Sequence, residues 1–128
     1  MSMEKSFNIK PELQQLVVDS MISVGLDFMR RVVLATPRDK GHAQANWVVG
    51  MNTRDPRQYK TRTNASNAIR RGGTIIKSLT YSAGMTIHIS NNLPYIRKLN
   101  DGHSQQAPKL FAETAARGAG INLKGRTL

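Results

Sequence analysis

The chain has 128 residues, enough for one domain with a modest core and little room for a second. It contains no cysteine, which removes disulfides and thiolate metal sites, and its 19 Lys and Arg against 8 Asp and Glu give a formal charge of +11. A field of that size favours polyanionic partners: nucleic acid, an anionic membrane surface or an acidic protein face.

The opening MSMEKSFNIKPELQQL lacks the apolar run of a signal peptide. No stretch approaches the roughly 18 apolar residues of a membrane span, which predicts a soluble chain with residues 1–10 as a flexible tail. From Pro11 to Ala35, the residues Leu13, Leu16, Val17, Met21, Val24, Phe28, Val32 and Ala35 recur at steps of three and four, the period of one helix face. Pro11 suits a first helical turn, where a missing N–H costs nothing, and Pro37 ends the run by driving its predecessor from helical angles. Val18, Ile22, Leu26, Met29 and Val33 lie on another side. The helix, about 37 Å long, is therefore expected to bury more than one face, against a wrapped sheet or a neighbouring subunit.

TPRDKGHAQANW, residues 36–47, reads as a loop opening onto a strand, with Asp39, Lys40 and Gly41 as a turn and NWVVGMN as β-forming sequence. Residues 52–64, NTRDPRQYKTRTN, have no period and are polar and basic, which predicts an exposed, mobile loop. In ASNAIRRGGTIIKSL, a wheel at 100° per residue gathers Ala65, Ala68, Ile69, Gly72, Ile75, Ile76 and Leu79 in one arc. Arg70, Arg71, Thr74, Lys77 and Ser78 fall opposite. This predicts a helix with a basic face, weakened by roughly 1 kcal/mol for each glycine of the Gly72-Gly73 pair. SAG then turns the chain into MTIHIS, a strand with Met85, Ile87 and Ile89 on one side and Thr86, His88 and Ser90 on the other.

ISNNLPYIRKLNDGHSQQAP, residues 89–108, reads as two turns, Asn91-Asn92 with Pro94 and Asp101-Gly102, around the apolar Tyr95, Ile96 and Leu99. Pro108 is expected to begin a last helix over KLFAETAAR, with Leu110, Phe111 and Ala115 inward and Gly118 as its stop; residues 119–128 form a second tail. The sum is an α+β fold in one domain, 1–128: a long N-terminal helix packed on a small, mainly antiparallel sheet, with two shorter helices.

Chemistry finds little support. His42, His88 and His103 have no metal-ligand spacing, and Asp101, His103 and Ser104 are crowded into one turn where a relay of nucleophile, base and orienting acid could not form. No catalytic, metal or cofactor residue is assigned, and the chain reads as a non-enzyme. The basic residues say more. No acid stands between Asp55 and Asp101, and Arg57, Lys60, Arg62, Arg70, Arg71 and Lys77 fall in that gap just after Arg54. They define a surface facing DNA or an acidic partner, the plain alternative being a solvated basic face. One Trp, three Tyr and three Phe are too few for base-stacking platforms.

Two motifs carry a resemblance. ISNNLPY followed by L-x-D-G-H-S-x-Q-A-P resembles the signature of tailed-bacteriophage neck proteins, the head-tail connector or tail-completion proteins. Its matching positions are Asn91, Asn92, Leu93, Pro94, Tyr95, Leu99, Gly102, Ser104, Gln106, Ala107 and Pro108. TPRDKGHAQANW is similar to an element that follows the first long helix in that family, through Thr36, Pro37, Asp39, Gly41, Asn46 and Trp47, with Lys40 where a Thr is usual. The resemblance covers residues 11–117. It implies an α+β virion subunit that forms a ring, commonly a hexamer, between the head connector or adaptor and the tail tube or its terminator. It implies no enzyme activity and no cofactor. The loop holding Asn91 to Tyr95, Leu99, Gly102, His103, Ser104, Gln106 and Pro108 is then expected to touch the adjoining subunit, while basic residues of 54–77 face DNA or protein. A nucleic-acid-binding protein independent of any virion is the alternative that the charge suggests, although no helix-turn-helix, RNA-recognition or basic-zipper pattern is present.

Overall fold

The computed structural model describes residues 10–38, 41–60, 64–102 and 109–121. In chain order the elements are α1 (Pro11–Ala35), α2 (His42–Ala45), β1 (Trp47–Met51), α3 (Ala65–Lys77), β2 (Ile87–Asn91), α4 (Ile96–Asn100) and α5 (Phe111–Gly118). The fold is α+β, a long N-terminal helix against a two-stranded antiparallel sheet with shorter helices around it.

Helix α1 starts with Pro11 in its first turn and stops at Thr36, whose backbone is extended as the following proline requires. Its core face is Val18, Gly25, Met29, Val32 and Val33, with Ile22 and Leu26 beside it. This reverses the expected emphasis. Of the more regular apolar series, Leu13, Leu16, Val17 and Val24 point outward, and only its C-terminal members Phe28, Val32 and Ala35 reach the core. Gly25 lies on the buried face: a Cβ on it would lie 3.3 Å from Ile76 Cγ2, so its bare backbone lets α3 come close.

The core is built from Met29, Val32 and Val33 of α1, Trp47 and Val49 of β1, Ala68 and Ile76 of α3, and Phe111, Ala112 and Ala115 of α5. β1 and β2 pair in a register that sets Trp47 opposite Asn91, Val49 opposite Ile89 and Met51 opposite Ile87, with Ile87 and Ile89 packed against the core. Asn52, at φ 63°, closes the ladder: its N–H donates to the Thr86 carbonyl at 2.8 Å and its Oδ1 accepts from the Thr86 N–H at 3.0 Å. Helix α3 forms as its pattern predicts and is capped by Asn64, whose side chain accepts from the Asn67 N–H.

Several local expectations change. Residues 42–45, read as loop, form α2 after Gly41, which takes a left-handed φ of 73°. The turn-rich stretch after β2 contains the short helix α4. Helix α5 begins at Phe111, not at Pro108, which lies outside the described residues; Leu110 is not inward but exposed, in a left-handed conformation. The helix ends at Gly118, as expected, and Gly120 at φ 82° follows its Ala119 cap, with Gly120 N–H bonded to the Arg117 carbonyl and Ile121 N–H to that of Ala116, a pair of bonds that closes a helix end. Ala119, assigned to a tail, is buried.

The Gly72-Gly73 pair separates two effects. A Cβ on Gly72 would lie 2.7 Å from Met29 Cε and 2.9 Å from Val49 Cγ2, whereas one on Gly73 would meet only Leu26 Cδ2 at an ordinary 3.5 Å. Gly72→Ala should therefore lower stability by about 1–3 kcal/mol through overpacking, beyond its gain in helix propensity. Gly73→Ala should raise stability by about 0.5–1 kcal/mol. Thermal or urea unfolding of both variants checks the opposite signs.

Candidate partner-binding surfaces

The residues that carry the two motifs turn mostly inward. Thr36 is buried; its hydroxyl donates to the Val32 carbonyl at 2.6 Å and accepts from Trp47 Nε1 at 2.8 Å, while its carbonyl accepts from Gln44 Nε2 at 3.1 Å. Asn46 pairs with both backbone groups of Tyr59, accepting its N–H at 2.7 Å and donating to its carbonyl at 3.0 Å. Asn91 donates to the Ala43 carbonyl at 2.9 Å and accepts from the Leu93 N–H. Asn92 donates to the carbonyls of Asp55 and Arg57 at 2.8 and 2.9 Å, accepts from the Arg54 guanidinium, and offers its own carbonyl to Gln58 Nε2.

Residues 52–60 are irregular and mostly exposed, as expected of a loop, and form a strap held by asparagine amides along its length. Asn91 and Asn92 are internal fasteners, and Asn91 and Leu93 are buried, so among the described residues the expected contact positions with exposed surface are Pro94, Tyr95 and Gly102. Leu99 packs half-buried against the core. His103, Ser104, Gln106 and Pro108 lie outside the described residues.

The cations divide in the same way. Arg57 forms an ion pair with Asp55 at 2.7 Å. Its side-chain hydrogen bond is the largest effect and, with its backbone N–H and its charge, holds the Asp55 carboxyl below the usual carboxylate range, against an upward push from burial that is second in size. Arg54 is spent on Asn92. Arg71 leaves the face it was expected to share with Arg70 and Lys77: its guanidinium lies 3.8 Å above the Tyr59 ring centre and donates to the Ala45 carbonyl at 2.8 Å. Lys60, Arg70 and Lys77 are exposed, Arg70 donating to Asn67 Oδ1, and Arg62 lies outside the described residues.

An open groove of about 960 Å³ runs between β2, α4 and the start of α5. The half-buried Ile87, Ile89 and Ile96 give it apolar walls, with the buried Leu93 and Phe111 behind them, and Arg97 and Arg117 a basic edge. Ser90 Oγ, on the same wall, is buried without a hydrogen-bond partner. Asn100 fixes the far side, its amide donating to both Glu113 oxygens and accepting from the Ala112 N–H at 3.0 Å.

Among the described residues no three His, Asp or Glu gather as a metal site would require, and no helix is long and apolar enough to cross a membrane. His42 faces the Tyr95 ring, while His88 bonds Thr86 Oγ1 from the sheet. No protein-family model, curated protein or solved structure matches the chain.

Asn92→Ala should free the strap and speed trypsin cleavage after Arg54 and Arg57 without unfolding the core, as mass mapping of the first fragments would show. Acid should loosen the same segment. Because its native pKa is lowered, Asp55 contributes fully above its ordinary titration near pH 4, and that contribution fades as pH falls through the lower native value. Exchange protection of residues 54–59 should fall over that window in the natural chain and stay flat in Asp55→Asn.

Proposed function

We propose that the chain is a structural subunit of a tailed-phage neck, a tail-completion or head-tail joining protein. In this reading it forms a ring, commonly hexameric, around the DNA passage between the head connector or adaptor and the tail tube or terminator. One observation carries the reading. The two motifs behind the resemblance, far apart in sequence, meet as one hydrogen-bonded unit: Trp47 stands opposite Asn91 in the sheet, and the Asn91 amide bonds Ala43 inside the first motif. That meeting supports treating them as one signature. The exposed apolar stripe on α1 supports a subunit that is completed by a partner.

Exposed Lys60, Arg70 and Lys77 leave room for the alternative of a nucleic-acid-binding protein outside any virion. The purified chain, mixed with tailless heads and with headless tails, should bind one of them as a ring visible in negative-stain images. A chain that adds to neither particle, yet binds duplex DNA with a steep salt dependence, would favour the alternative and overturn the neck reading.

A further inference from the structure

Most of the exposed apolar surface of the described residues lies in two places of opposite charge. The first is α1. Leu13 (52% exposed), Leu16 (62%), Val17 and Val24 fall within one arc of the helix; Leu34 repeats the direction of Leu16 but lies beyond Arg30 and Arg31, the latter paired with Asp27. Residues 11–29 hold Glu12, Asp19 and Asp27 and no Lys or Arg, with Glu12 and Asp19 along one edge of the stripe. Val18 is the first buried residue, so two turns of helix stand clear of the core, although most helical stability comes from packing. The second place is the groove beside α4 and α5. Leu110 is exposed there and Arg97 and Arg117 line it, with Lys98 and Lys109 adjoining in sequence, against the lining Asp101 and the hydrogen-bonded Glu113.

We infer that the α1 stripe of one copy docks in the α4–α5 groove of the next. Such a contact places an acid-edged apolar helix in a base-edged apolar groove, a helix-in-groove mode. Pairing α1 with α1 would oppose Glu12 and Asp19 to their own copies, and pairing groove with groove would oppose cations, so charge selects the head-to-tail arrangement. A heterologous contact of this kind propagates until it closes. Closure into a ring rests on the neck reading; the pairing itself rests on the two surfaces.

Sedimentation of the full chain, up to about millimolar, tests it with two variants at exposed positions, Leu16→Asp and the double charge reversal Arg97→Glu with Arg117→Glu. Both should keep the natural melting temperature, and each should weaken self-association by about tenfold or more. Mixed in equal amounts, they should form a heterodimer that grows no further, because the pair retains one intact stripe facing one intact groove. A natural chain that stays monomeric, variants that associate like it, or a mixture that stays monomeric overturns the pairing. Particle binding by the natural chain with variants unaffected overturns the pairing alone; intact head-to-tail pairing with no particle binding overturns the neck reading alone.

Discussion

The architecture turns on Thr36. Pro37 forces it into extended backbone, which ends α1, and its hydroxyl then bridges the last turn of that helix to the indole of Trp47. Its carbonyl accepts from Gln44, so one buried residue fixes the end of α1, the position of α2 and the first residue of β1. Each such bond contributes about 1 kcal/mol net, but leaving the buried indole N–H unpaired would cost about 1–3 kcal/mol. The geometry is therefore held more by the penalty for breaking it than by the gain in making it. Once Trp47 is placed, the register of β2 packs the half-buried Ile87 and Ile89 against the core, and Asn91 falls where its amide meets Ala43.

With a two-stranded sheet, most of the backbone after β1 has no ladder to join. The polar groups of an irregular segment must still be paired. Three asparagines do this. Asn46 binds both backbone groups of Tyr59 as a neighbouring strand would, Asn52 closes the sheet through Thr86, and Asn92 bridges Asp55 and Arg57. An amide carries a donor and an acceptor on one short side chain and so substitutes for a missing strand. Arg71 then clamps the strap from the other side by stacking on Tyr59, which is why a residue on the polar arc of α3 folds inward.

This division explains what could be read from the sequence. The periods of α1 and α3 were plain, because long helices repeat their pattern several times; α2 and α4, of four and five residues, have no room to show one. Which face of α1 enters the core is set by its contacts with α3, β1 and α5, Gly25 against Ile76 among them, which no local pattern encodes. The asparagines of the NNLPY stretch were legible as shape-setting but not as fasteners, since their partners are 34 to 48 residues away. The end of α5 was legible in Gly118, whereas the left-handed Gly120 and the buried Ala119 beyond it were not, since neither backbone angle nor burial is written in composition.

The same division bears on where partner recognition resides. In the described residues, the motif side chains spend their polar groups on the chain itself, so the signature specifies a frame. Surfaces free to meet a partner lie largely outside it, on the N-terminal turns of α1, on the outer face of α3 and around the rim of the groove. Charge is segregated over those surfaces: acidic on the first nineteen residues of α1, basic nearly everywhere else. A uniformly basic body would repel its copies in every orientation. An acidic, apolar helix set on a basic body repels them in most orientations and leaves few that attract, so the net charge of +11 acts as a constraint on geometry as well as a draw for polyanions.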